Sequence, residues 1–222
     1  LHQPQAIFKD DEAGAAWLVD EKGLTEISVP DHLSTDFKFE MSWLGERPVI
    51  AINLLRTLPK DSLYKGSYGL YLAFHEGFHH MFQRGDWTKE DNFQRGDQFP
   101  DRYLPRYYRR MVYEKLRLAL LEEQHREESL VKAVYWYAKW KKEYRDEFSQ
   151  SVDRHEGVAQ YYDIISVAIA ELGCNVSNQQ VLEFLKKNYD MFIETPDSFN
   201  KEGYTLGSLA GILMWLESKQ GW

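Results

Sequence analysis

The chain has 222 residues, 43% apolar and 15% aromatic, with 27 basic and 35 acidic side chains and a net charge of -8. That length makes one domain with room for a sizeable core. The acidic balance argues against a nucleic-acid partner, whose phosphates would need Lys and Arg to neutralise them. No apolar run approaches the roughly 18 residues of a membrane-spanning helix, and a lone Cys174 excludes an internal disulfide and a four-cysteine metal site.

The first third reads as β. Residues 15–19 and 24–29 flank the turn sequence Asp20-Glu21-Lys22-Gly23, and Pro30 closes the second run. Phe37, Phe39, Met41 and Trp43 alternate with polar residues, the period of a half-buried strand. After Leu44-Gly45-Glu46-Arg47, the β-branched run 48–55 pairs back as a hairpin, with Pro48 suiting an edge strand or a strand beginning.

The character then becomes helical. Residues 67–83 carry an apolar face through Leu72, Phe78 and Phe82, with Gly85 placed as a C-cap. Residues 84–101 read as a loop. From Arg106 to Gly157 there is no Pro or Gly, so this long run divides into two or three antiparallel helices, with a break near 124–129. Further helices are expected at 155–172, closed by Gly173, at 181–192 and at 204–218. The pentapeptide Phe-Gln-Arg-Gly-Asp occurs at 82–86 and 93–97; its Gly-Asp pairs read as turn chemistry rather than as adhesion motifs. The basic–aromatic stretches 102–117 and 135–145 have interleaved acids and read as solvated helix faces, with Trp136 and Trp140 in the core. The chain starts at Leu1 with no charged-then-apolar leader. The expectation is a targeting segment removed beforehand, which favours a secreted or periplasmic setting.

The strongest chemical signal is His75-Glu76-Gly77-Phe78-His79, an H-E-x-x-H inside a segment already helical by pattern. Residues i and i+4 of a helix share one face, so both imidazoles can bind one zinc ion while Glu76 reaches a water on it. Random order of this composition would produce about 0.02 such matches. A catalytic zinc takes three protein ligands. Cys174 is alone, and His80 points about 100° away from His79 around the helix. Glu156 is the better third ligand. It opens an otherwise apolar helix and shares a stripe with Gln160 and Asp163, while Gly157 and Ala159 permit close helix approach. Asp163 and Glu171 are the alternatives.

These residues resemble the gluzincin branch of zinc metallopeptidases: His75-Glu76-x-x-His79 followed far downstream by Glu156, whose Glu-Gly-Val-Ala-Gln-Tyr run is similar to Glu-Gly-x-Ala segments of that type. The resemblance implies an α+β, zincin-like fold, with a small antiparallel sheet (about residues 1–60) on the active-site helix and a helical part over 66–222. It implies hydrolysis of a peptide or protein substrate lying extended along an edge strand, for which 48–55 is the candidate. Glu76 would act as general base, and His75, His79 and Glu156 would hold Zn2+. A Tyr donates to the oxyanion in related peptidases; Tyr204 is the candidate and Tyr161 the runner-up. Thermolysin-like enzymes place an Asp four residues beyond the ligand Glu, where this chain has Gln160. Gly207 and Gly211, one turn apart, form a smooth helix face. Two other readings use the same residues: a non-catalytic zinc module closed by His155 or His80, and a zinc hydrolase of a non-peptide amide or ester.

Overall fold

Glycines that adopt positive φ at two tight turns lay out the β region. The computed structural model describes residues 6–10, 14–33, 38–54, 65–83, 102–193 and 195–218. The chain is α+β and divides into two compact units, Leu1–Phe82 and Gln83–Trp222. In the first, β1 (Ala6–Asp10), β2 (Ala15–Asp20), β3 (Gly23–Ile27), β4 (Phe39–Leu44) and β5 (Arg47–Asn53) form one mixed sheet in the order β3-β2-β1-β5-β4. The β2–β3 hairpin turns through Glu21 and Lys22 into Gly23 at φ 110°, and the β4–β5 hairpin through Gly45 at φ 64°. Both hairpins follow the turn chemistry of the sequence. The pairing of β1, antiparallel to β2 and parallel to β5, does not.

β5 corrects one expectation. It lies inside the sheet, paired on both sides, and is not an edge. Val49 and Ala51 pack with Ile7, Ala16 and Leu33 on one face, while Ile50 and Ile52 are buried on the other. A continuous apolar run of this kind suits a strand covered on both faces. Pro48 is tolerated because pairing with β1 begins only at Ile50. The sheet's edges are β3 and, beside β5, β4. Its alternation holds, but Phe39, Met41 and Trp43 are its exposed side, and Ser42 is buried with its hydroxyl 2.8 Å from His32 Nε2. Helix α1 (Lys65–Met81) completes this unit, with Gly77 against the side chain of Ile50. Phe37, Gly85, the loop at 84–101 and both Arg-Gly-Asp sequences lie outside the described residues.

The second unit is helical. The long Pro- and Gly-free run breaks at a 3-10 turn, Glu123–His125, into α2 (Tyr103–Leu121) and α3 (Arg126–Glu143), followed by α4 (Arg145–Gln150). Tyr108, early in α2, donates to Glu143 at the end of α3, and Arg126 Nε donates to the Ala119 carbonyl, so the two helices run antiparallel. Next come α5 (Glu156–Leu172), stopped by Gly173 at φ 96°, then α6 (Asn178–Lys187), α7 (Tyr189–Phe192) and α8 (Phe199–Glu217). Helix α8 starts five residues before the expected position because Ser198 caps it, accepting from the Lys201 amide at 3.3 Å. No helix among the described residues is long and apolar enough to cross a membrane.

Two features fix α5 against α8. The first is a seam of glycines. A Cβ on Gly157 would sit 2.5 Å from the Gly207 Cα, one on Gly207 2.0 Å from the Asp153 carbonyl oxygen, and one on Gly211 2.5 Å from the Tyr161 ring. The second is a buried ion network. Arg109 on α2, only 1% exposed, donates two hydrogen bonds of 2.7 Å to Asp153, donates a third to Glu202, and lies 4.3 Å over the Trp140 ring. Arg106 donates to Glu202 and to Glu147, and Glu147 also accepts from Trp140 Nε1. The stretch 102–117 is therefore not simply a solvated face: two of its arginines point inward. Burial works against the Arg109 charge, yet Asp153 and Glu202 outweigh it and hold the guanidinium above its ordinary range.

Gly207→Ala should destabilise the helical unit by about 3 kcal/mol or more, since the obstruction is backbone. By contrast, Gly77→Ala, whose Cβ meets only Ile50 Cδ1 at 3.5 Å, should be neutral or up to about 1 kcal/mol stabilising. Denaturant unfolding would separate the two. Arg109→Ala should cost about 3–5 kcal/mol by leaving Asp153 and Glu202 buried without it, read by the same method.

Candidate metal centre

Helix α1 supplies the paired imidazoles. His75 and His79 are one turn apart, with ring centroids 4.7 Å apart and Nε2 atoms separated by 3.1 Å. Two ligands about 2.0–2.1 Å from one tetrahedral ion lie about 3.3 Å apart, close to this separation. His75 is buried, and its ring stacks with Tyr71 at 6.3 Å, one helical turn earlier. The helix is apolar enough to hold its register through Phe78, also buried, whose ring packs on Phe82 at 5.3 Å.

Glu156 is the first residue of α5 and is 1% exposed. A carboxylate so enclosed requires hydrogen-bond donors or a cation. One donor is Tyr204, whose hydroxyl donates to Glu156 Oε2 at 2.7 Å across the α5–α8 seam. The preceding residues are anchored as well: Asp153 by Arg109, and the His155 carbonyl by the buried Gln83 amide at 2.8 Å. Among the described residues, His75, His79 and Glu156 are a group that could bind a metal ion. Two imidazole nitrogens and one carboxylate oxygen make a donor set that suits a divalent transition ion.

The other candidates fall elsewhere. Asp163, two turns along α5, is buried, and Glu171 and Cys174 are exposed; none joins the group. Tyr161 packs on Gly211 in the seam. The side-chain oxygen of Gln160 is buried with no hydrogen-bond partner among the described residues. Sequence reasoning named Tyr204 but not its contact with Glu156, a pairing across 48 residues that no local spacing encodes. It also missed Arg109, whose only signal was a basic side chain on the apolar stripe of α2 with Val112, Tyr113 and Leu116.

No protein-family model, no curated protein and no solved structure matches the chain.

Tyr204→Phe removes only the hydroxyl that orients Glu156, and partners of this kind are worth about 10–100-fold in metal affinity. Zinc titration against a competing chelator should show a loss of that size with the circular-dichroism spectrum unchanged. An unaltered affinity would mean that the hydrogen bond does not orient a ligand.

Proposed function

We propose that the chain is a zinc-dependent hydrolase of peptide bonds, of zincin-like type. The observation that carries this is that His75, His79 and Glu156 could together hold a metal ion, with Glu76 beside His75 on the same helix. Two histidines and a glutamate are the ligand set of one class of catalytic zinc site, which keeps a position for water. When bound, zinc supplies Lewis acidity: it polarises a carbonyl and brings water's pKa toward neutrality.

The residues then divide the work. His75 and His79 act as neutral donors, and Glu156 brings a negative charge that offsets part of the ion's. Tyr204 keeps the Glu156 carboxylate turned, and an oxyanion would have to compete with Glu156 for the same hydroxyl. Glu76 takes a proton from the attacking water and returns it to the leaving amine, general acid–base work in the reach of a carboxylate beside the ligands. An extended substrate would pair with β4, since β5 has no free edge. Phe39, Met41 and Trp43 on β4 give that edge an apolar surface on which side chains can rest.

Glu76→Gln is the test. The variant should bind zinc at one ion per chain and lose about 10²–10⁴-fold in peptide hydrolysis against a peptide library. Undiminished hydrolysis would remove Glu76 from the chemistry, and a wild-type protein without bound zinc would end the proposal.

A further inference from the structure

The two edges of the sheet differ in what they offer. On β3 the exposed Leu24 is followed on its own face by Glu26, so no apolar row forms. On β4 every second residue is apolar and open: Phe39 is 40% exposed, Met41 44% and Trp43 59%. Successive side chains of a strand alternate between faces, so these three stand in one row.

The main chain of the same residues faces outward. The Asn53 amide donates to the Lys38 carbonyl at 3.0 Å, one step beyond the Phe39–Ile52 pair of the β4–β5 register. In an antiparallel ladder, pairs that exchange main-chain hydrogen bonds alternate with pairs that do not. Counted from Lys38, residues Glu40, Ser42 and Leu44 therefore turn their amides and carbonyls toward β5. Phe39, Met41 and Trp43 turn theirs away from it, and no strand lies beyond β4 among the described residues. A row of outward donors and acceptors with this period is a template for one more strand. Residues of an added antiparallel strand that bond to it stand directly opposite, with their side chains on the same face. Main-chain recognition and the apolar row thus fall in one register. Met41 pairs with Ile50, and Ile50 packs against Gly77 of α1, so the row runs on the face of the sheet covered by the helix of His75, Glu76 and His79.

We propose that the outer edge of β4 binds an extended peptide, antiparallel, that carries apolar side chains at every second position. As a definition of the substrate class this rests on the hydrolase reading; as a binding register it rests on β4 alone.

Calorimetric titration of full-length Glu76→Gln measures the edge without the chemistry. The probe is acetyl-Lys-Leu-Thr-Leu-Thr-Leu-Lys-amide, compared with acetyl-Lys-Thr-Leu-Leu-Leu-Thr-Lys-amide of identical composition. The alternating peptide should bind one per chain with a dissociation constant on the order of 10–100 μM, and the clustered one about fivefold more weakly. N-methylation of the central Leu, whose amide faces β4, should weaken binding at least about tenfold, while N-methylation of the Thr that follows it, whose amide faces away, should not. Met41→Pro in the same background removes an outward amide and leaves the β5 ladder intact, so it should fold and lose binding by a similar factor. Absence of binding at millimolar peptide, or equal binding of the alternating and clustered peptides, would overturn the proposal. Alternating preference without cleavage of the probe by wild-type protein would sustain the edge and count against hydrolysis alone. Sedimentation addresses a second copy as occupant: a dimer that Met41→Pro converts to monomer would overturn the proposal and assign the edge to self-pairing.

Discussion

The helical unit depends on one constraint: α5 and α8 touch backbone to backbone. Where Gly157 meets Gly207, no side chain intervenes, and even a methyl group on either would collide with main-chain atoms. Contact this close puts the first turn of α5 beside the second turn of α8 and lets a tyrosine hydroxyl reach a carboxylate 48 residues away in sequence. The same seam has a second side, where the helices diverge enough to leave an apolar trough. The Tyr204–Glu156 contact and the trough thus share a single packing decision, made by residues without side chains.

Around that seam the charges are arranged to be tolerable in the interior. Glu147, Asp153 and Glu202 are nearly fully enclosed, yet each accepts hydrogen bonds from Arg106 or Arg109. The indole N–H of Trp140 adds a donor, and its ring adds a face for the guanidinium. Replacing one carboxylate would leave an arginine uncompensated, so the network acts as a unit. Its geometric result is that the turn before Glu156 cannot rotate. A buried acid needs that rigidity if it is to hold an ion at a fixed place.

What was legible in the sequence was local. Alternation and glycine turns marked both hairpins, and an i, i+4 histidine pair on an apolar helix was visible without any tertiary information. Gly157 and Gly207 also announced close packing by size alone. What was not legible was pairing across the chain. Arg109 looked solvated because arginine usually is, and its partners Asp153 and Glu202 lie 44 and 93 residues away. The apolar run of β5 admitted two readings, edge or centre, and the choice depended on β1. That strand, five residues with no turn signal before it, had no pattern of its own to betray it.

β1 has a consequence for how the sheet assembles. Each hairpin closes through a turn of two residues, so both form through contacts near in the chain. Ala6 must find Ile50, and Lys9 must find Asn53, before the two halves become one surface. Closing so long a loop is entropically slow compared with a turn. The pairing of the first strand with β5 is the join that closes last, and without those five residues β2–β3 and β4–β5 would stand as separate ribbons with no common interior.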